Sequence, residues 1–98
     1  MAATITLHPA STGERIDGAL FSVEVSAAQS DGAGWSVWLA SDGRSRRLFE
    51  SPEQPFCALC ERPTAHGGVA AVAFSRLDGR VELHELDATG NSIHIEQR

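Results

Sequence analysis

The sequence predicts a mainly β protein, a single small antiparallel sandwich or partly open barrel of six or seven strands, with one short helical segment around residues 52–62. Three observations support this fold class. Short stretches alternate between apolar and polar residues, Asp-Gly pairs separate neighbouring stretches, and the helix–strand alternation of a parallel α/β sheet is missing. The 98 residues have the length of one ordinary domain, so we expect residues 1–98 to form a single unit.

The first part of the chain predicts two strands joined by loops. Residues 4–8 are short and β-branched and end before a proline, which is typical of a strand. Residues 19–27 alternate regularly between apolar and polar side chains, as a half-buried antiparallel strand does. Residues 9–18 and 28–34 are rich in glycine and small polar residues, which indicates loops.

The pair Asp42-Gly43 predicts a hairpin between strands over residues 35–41 and 44–50, because both central positions of a type I′ turn need a positive φ. In this register the indole of Trp38 faces the guanidinium of Arg47 at the solvent side. The same register pairs Ser41 with Arg44 and Val37 with Leu48. Trp35 lies three residues before Trp38, so the two tryptophans are expected on opposite faces of the strand.

A second Asp-Gly pair, at residues 78–79, predicts a hairpin between residues 68–75 and 80–87, with Leu77 facing Arg80 and Phe74 facing Leu83. Residues 87–91 then form a turn, with Gly90 at its left-handed position, and residues 92–97 form the last strand. This last hairpin would pair His84 with His94 and Glu82 with Glu96 on its polar face.

The stretch from residue 51 to residue 68 contains both cysteines and joins the two halves. Its start, Ser51-Pro-Glu-Gln54, resembles a helix-capping box, and a helix over residues 55–61 would place Phe56, Leu59 and Cys60 on the face that packs against the sheet. The expected core consists of the apolar residues at inward strand positions: Leu20 or Phe21, Val23, Val25, Val37, Leu39, Leu48, Val72, Phe74, Leu83, Ile93 and Ile95.

The charge balance excludes some classes of function. The formal net charge is −5 and all eight basic residues are arginine, so an extended phosphate-binding surface is not expected and nucleic acid is an improbable partner. No apolar run reaches the length of a membrane span, and the first residues do not resemble a secretion signal. We therefore expect a cytoplasmic protein without a membrane partner, and the arginine-, alanine- and glycine-rich composition indicates a bacterial genome.

Three interpretations are open for the Cys57-x-x-Cys60 motif. The cysteines are buried packing residues, or they bind zinc together with His66, with His8, His84 or His94 completing the tetrahedron, or they form a thiol–disulfide redox pair. The His84–His94 pair is a second candidate zinc position, although a solvated sheet face would explain it as well. Glu82, Glu85 and Glu96 are expected only to solvate the sheet.

No nucleophile elbow, phosphate-binding loop or dinucleotide fingerprint is present in the sequence. We therefore expect a small non-enzymatic binding or accessory module that recognises a protein partner, or a second copy of itself, through a sheet edge or an aromatic patch of Trp35, Trp38 and Arg47. The alternative is a zinc-binding domain in which Cys57, Cys60 and His66 bind a mainly structural metal ion. A Cys-x-x-Cys redox protein is the third hypothesis.

Overall fold

Two antiparallel sheets form the protein in the computed structural model, which describes residues 7–9, 13–27, 34–75 and 78–98. The strands of these residues are β1 (His8–Pro9), β2 (Arg15–Asp17), β3 (Ser22–Ala27), β4 (Trp35–Ser41), β5 (Arg44–Ser51), β6 (Phe56–Cys60), β7 (Ala70–Ser75), β8 (Val81–Leu86) and β9 (Ser92–Gln97). One sheet has the order β1-β6-β7-β8-β9 and the other has the order β2-β3-β4-β5.

The mainly β, antiparallel class is confirmed, and the two sheets share one core in an arrangement compatible with a β sandwich. The described residues contain nine strands rather than six or seven. One additional strand is β2, which lies in a segment predicted to be a loop. The other is β6, which replaces the predicted helix.

The prediction of a helical segment around residues 52–62 is wrong. The Ser51 hydroxyl bonds to the backbone of Glu53, donating to its carbonyl at 2.7 Å and accepting from its N–H at 3.2 Å, so this serine closes a turn instead of capping a helix. Only seven residues separate Pro55 from Pro63, which is too short for a helix to be stable on its own. Pairing of β6 with β7 therefore determines the local structure.

The first hairpin forms as predicted at its turn and differs further along. Asp42 and Gly43 both have positive φ, 50° and 75°, as a type I′ turn requires, and Ser41 pairs with Arg44 and Trp38 with Arg47. A bulge between Val37 and Trp38 then shifts the register. Val37 consequently faces Phe49 and not Leu48.

The β7–β8 hairpin is offset by one residue from the prediction. Phe74 faces Glu82, and Leu83 faces Ala73. The proposed contact between Leu77 and Arg80 lies outside the described residues. Because side chains alternate along a strand, this offset turns Glu82 and His84 towards the core, where Leu83 was expected.

The last hairpin contains a second bulge. Its turn is confirmed, since the Asp87 N–H donates to the Asn91 carbonyl at 3.0 Å, Gly90 has a φ of 90°, and Leu86 pairs with Ser92. Beyond Leu86 the register shifts by one residue, so Glu85 faces His94 and His84 faces Ile95. The predicted His84–His94 and Glu82–Glu96 pairs are therefore wrong, because one extra residue on β9 moves His94 to the opposite face from His84.

The core between the sheets contains most of the expected residues. Its fully buried members come from both sheets and are Phe21, Val23, Val25, Val37, Leu39, Cys57, Ala70, Val72, Phe74 and Leu86, with Leu48 partly buried against them. Leu83 is buried in a second, smaller cluster on the opposite face of the five-stranded sheet. Ile93 and Ile95 were expected inside, but they are 42% and 53% exposed because β9 is an edge strand with a neighbouring strand on one side only.

Parts of three predicted segments lie outside the described residues. These are residues 4–6 of the first predicted strand, residues 10–12 of the first predicted loop and residues 28–33 of the second predicted loop. The suggestion that the His8 side chain completes a zinc tetrahedron also falls outside what the structure describes.

Candidate metal centre

A cluster of His66, Glu85 and His94 lies on the face of the five-stranded sheet that points away from the shared core. The sheet positions two of the three residues, because Glu85 on β8 and His94 on β9 are directly paired. Directly opposed side chains on one face have Cβ atoms about 4.5–5.5 Å apart. The bulge in β9 therefore creates this pair, since an unbulged ladder would place His94 beside His84.

The third residue, His66, comes from the loop between β6 and β7. The loop is closed by two bonds, from the Thr64 N–H to the Gly68 carbonyl at 3.1 Å and from the Gly67 N–H to the Thr64 carbonyl at 3.2 Å. The Val69 N–H then donates to the Leu86 carbonyl at 2.8 Å and ties the loop to β8.

Gly68 allows this close approach of the loop to the sheet. A Cβ atom at this position would lie 2.7 Å from the Leu86 carbonyl oxygen and 2.6 Å from the Thr64 hydroxyl oxygen. No side chain fits there without moving the backbone. The Gly67-Gly68 pair that follows His66 in the sequence thus brings the imidazole over the sheet.

Glu85 is the buried centre of the cluster, with only 4% of the residue exposed. Its Oε2 lies 2.5 Å from Nδ1 of His66, and its Oε1 accepts from the His66 backbone N–H at 3.2 Å. Desolvation raises the pKa of Glu85, but hydrogen bonds from the Thr64 hydroxyl and from His66 outweigh it, so the net pKa of Glu85 is lowered. The carboxylate is therefore ionised at neutral pH, and the proton between it and His66 belongs to Nδ1.

His94 lies flat against His66. The ring centroids are 3.7 Å apart and the ring planes are inclined by 12°. One potential ligand atom from each of His66, Glu85 and His94 lies within 4.8 Å of the other two. Among the described residues, His66, Glu85 and His94 are the one set of at least three His, Cys, Asp or Glu side chains whose potential ligand atoms all lie within 4.8 Å of one another.

The chemistry of this group suits a metal ion better than an organic substrate. Imidazole nitrogen and carboxylate oxygen are ordinary zinc ligands. The His66 side chain is 48% exposed, so one side of the cluster is open to water. One surface groove, lined by residues such as Arg46, Thr89 and Asn91, lies away from this cluster.

The structure does not bring Cys57, Cys60 and His66 together. Cys57 and Cys60 are three residues apart on β6, so their side chains point to opposite faces of the sheet. Cys57 is in the shared core opposite Phe74, whereas Cys60 lies on the outer face opposite Ala71. Their Cα atoms are about 10 Å apart along an extended strand, which exceeds the span of a disulfide.

The environment of Cys57 is that of a packing residue. Burial, with a smaller effect from the charge of Glu14, raises the pKa of the Cys57 thiol to about 12. A thiol of this kind is neither a ready nucleophile nor a ready metal ligand at neutral pH. Both cysteines are free thiols in the structure.

His84 belongs to a different network on the core side of β8. Arg46 Nη2 donates to the Ser92 hydroxyl at 2.9 Å, and Ser92 Oγ lies 2.9 Å from Nδ1 of His84. The other ring nitrogen, Nε2, lies 2.7 Å from Oε1 of Glu82. These contacts connect Arg46 through Ser92 and His84 to Glu82. Both ring nitrogens of His84 are thus engaged.

The proposed interaction patch is divided between the faces of β4, as the spacing of its tryptophans predicts. Trp35 packs against the core, and Trp38 lies on the outer side, where its Nε1–H donates to the Ser26 hydroxyl at 3.0 Å. Arg47 faces Trp38 across the hairpin, and its guanidinium lies 3.3 Å from the Glu50 carboxylate.

Sequence reasoning missed Glu85, which it treated as a residue that only solvates the sheet. Periodicity could not identify it, because the role of Glu85 depends on the one-residue offset of β8 and on the bulge in β9. The Gly-Gly pair beside His66 was the one local signal, since glycines often mark a close approach of a loop to another backbone.

Comparison with protein-family models, with curated proteins and with solved structures found no match to this chain. Among the described residues, no helix is long and apolar enough to cross a membrane.

Proposed function

We propose that the protein is a small metal-binding β sandwich in which His66, Glu85 and His94 bind one divalent transition-metal ion, with zinc as the reference ion. The observation that supports this most directly is the convergence of two imidazoles and one carboxylate within 4.8 Å on one sheet face. His66 and His94 were among the zinc ligands expected from the sequence. In the proposed set, Glu85 takes the place of the two expected cysteines.

The donor set favours ions of the zinc type over calcium or magnesium. Calcium and magnesium prefer oxygen ligands, whereas two imidazole nitrogens suit zinc, copper, nickel or iron(II). Three protein ligands leave a position for water, in contrast to the four ligands of a closed structural zinc site. An ion held here would therefore be accessible to a further ligand.

The charges around the site support binding of a cation. Glu85 is ionised because its pKa is lowered, and burial reduces the screening of its charge by solvent. The two imidazole rings stack in the metal-free protein, so binding requires that the exposed His66 ring tilt until both nitrogens point at the ion. Metal binding would also become weaker in acid, since protons compete for the same ligand atoms.

The test is a zinc titration of the chelator-treated protein, with calorimetry and native mass spectrometry as the two measurements of binding. We expect one zinc ion per chain and an increase in melting temperature with zinc concentration, as binding to the folded state alone requires. His66→Ala and His94→Ala should each weaken zinc binding at least about tenfold, and Glu85→Gln should weaken it by about tenfold.

The matched controls are Cys57→Ser and Cys60→Ser, which remove the sulfur ligands expected from the Cys-x-x-Cys motif. Cys60→Ser should leave zinc affinity unchanged, and Cys57→Ser should change stability but not stoichiometry. A wild-type protein that binds no zinc, or cysteine variants that lose zinc while histidine variants retain it, would contradict the proposal. Circular dichroism of each variant shows whether it is folded.

A further inference from the structure

Strand β9 forms one edge of the five-stranded sheet. Proteins usually block exposed edges with short strands, prolines, bulges or charges. At the other three edges, β1 has two residues including Pro9, β2 has three residues, and β5 contains Arg44, Arg46 and Arg47 beside a bulge. Strand β9 has six residues without proline, its bulge lies near its start at Ile93, Glu96 is its one acidic or basic residue, and its Ile95 is 53% exposed.

The hydrogen bonds of β9 define which backbone groups point outwards. Val81 and Arg98 exchange two bonds of 2.8 Å, so they form a hydrogen-bonded pair of the antiparallel ladder. Such pairs alternate with pairs that do not exchange bonds. Glu96 and His94 therefore bond to β8, whereas the N–H and C=O groups of Ile95 and Gln97 point away from the sheet. These are the groups that another strand can bind.

The side chains on β9 favour one way for a second copy to pair with it. Antiparallel pairing about Ile95 places the two Ile95 side chains against each other, and places His94 opposite Glu96 of the second copy, twice by symmetry, where a ring N–H can donate to the carboxylate. Pairing about Glu96 would instead set glutamate against glutamate. Like charges directly opposite each other destabilise a sheet.

We infer that the protein forms a symmetric homodimer by antiparallel pairing of β9 with β9 of a second copy, centred on Ile95. The two five-stranded sheets then become one continuous ten-stranded sheet across the two-fold axis. The pairing buries Ile95, the most exposed isoleucine of the described residues, and satisfies the outward backbone groups of the strand. An isologous contact of this kind closes on itself and does not grow into a filament.

The first test is sedimentation velocity over a range of protein concentrations, in the presence of EDTA so that metal binding plays no part. The wild-type protein should sediment as a dimer that dissociates on dilution. Ile95→Lys and Glu96→Arg should each weaken dimerisation about tenfold or more. Leu20→Lys is the matched control, because Leu20 is equally exposed at 52% and lies outside β9.

The second test determines the register by cysteine cross-linking in a Cys60→Ser background. In the inferred register, Ile95→Cys places two thiols on the axis with Cα atoms about 5.5 Å apart, which a disulfide spans. Gln97→Cys places them about 13 Å apart along the strands, which a disulfide does not span. A copper–phenanthroline oxidant should therefore cross-link the first variant and leave the second monomeric on a denaturing gel.

A wild-type protein that remains monomeric at all concentrations would overturn the inference, as would cross-linking of Gln97→Cys in place of Ile95→Cys. Dimerisation that is insensitive to both β9 substitutions would mean that a different surface associates. The inference is independent of the proposed metal site, because it is tested without metal. Loss of zinc binding by His66→Ala, which lies outside β9, is measured separately.

Discussion

At the residue scale, Glu61 shows how a single carboxylate joins the two sheets. It follows β6, yet its oxygens accept from the backbone N–H groups of Leu20 at 2.7 Å and Phe21 at 2.8 Å, and also from that of Ala19. These three residues lead into β3 of the other sheet. Desolvation raises the pKa of Glu61, but the three backbone donors outweigh it, and the net pKa is lowered.

Replacing this carboxylate should destabilise the fold in a pH-dependent way. Glu61→Gln turns one acceptor into an amide that faces N–H donors, so we expect a loss of about 1 kcal/mol of unfolding free energy at pH 7. Because the folded pKa of Glu61 is lowered, its contribution is complete above the unfolded pKa and is lost as pH falls through the folded value. Urea unfolding at several pH values should therefore show the two proteins converging in acid.

Two variants test whether the effect comes from this contact. Glu53→Gln makes the same charge change at an exposed position and should have little effect. Gly18→Ala introduces a Cβ atom 2.5 Å from Cδ of Glu61, so it should destabilise the wild type by displacing the carboxylate. Gly18→Ala should cost nothing further in a Glu61→Ala background. A constant difference between wild type and Glu61→Gln down to low pH would show that the charge is not involved.

At the element scale, strands were predicted correctly where the signal lies in the strand's own residues or in the adjoining turn. The alternation of residues 19–27 and the Asp42-Gly43 turn are determined by local chemistry, and both were predicted correctly. A helix was predicted in place of β6 because Ser51-Pro-Glu-Gln54 resembles a capping box. The five apolar or small residues of β6 do not alternate, and the pairing of β6 with β7 is a long-range event. The bulges leave no clear local signal, although they determine which side chains meet.

The bulge in β9 can be tested by deleting its extra residue. Deletion of Ile93 should leave Ser92 opposite Leu86 and His94 opposite Glu85, because Ile93 has no direct partner on β8. We expect the variant to fold with a loss of about 1 kcal/mol or less, and to keep the zinc response of the wild type if the metal site is present. Thermal unfolding with and without zinc measures both properties.

Deletion of Ile95 is the matched control for the bulge. It removes the same type of residue from the regular part of β9 and shifts Glu96 and Gln97 to the opposite faces. The two-way bonds between Val81 and Arg98 would also be displaced, so this deletion should destabilise more than deletion of Ile93. If deletion of Ile93 instead causes the greater loss, then the strand is paired without a bulge.

At the scale of the whole molecule, the apolar residues of the shared core were predicted better than the polar contacts between the two sheets. Apolar residues of β3 and β4 were assigned correctly because alternation identifies the buried face of a strand. Polar contacts between the sheets were not predicted, because they depend on how two separate sheets are placed. His84 and Glu82 were expected at a wet face, yet they lie on the core side in a bonded chain that includes Arg46 of the other sheet.

Arg46 should therefore contribute much more to stability than its neighbour Arg47, although both are arginines on β5. Arg46 Nη2 donates at 2.9 Å to both the Gly90 carbonyl and the Ser92 hydroxyl, so Arg46→Ala leaves these groups of the five-stranded sheet without that donor. Arg47 forms a largely exposed ion pair with Glu50. Urea unfolding should show a loss of about 2 kcal/mol for Arg46→Ala and about 0.5 kcal/mol or less for Arg47→Ala. Equal losses would mean that the buried polar network does not hold the two sheets together, and that apolar packing alone determines their arrangement.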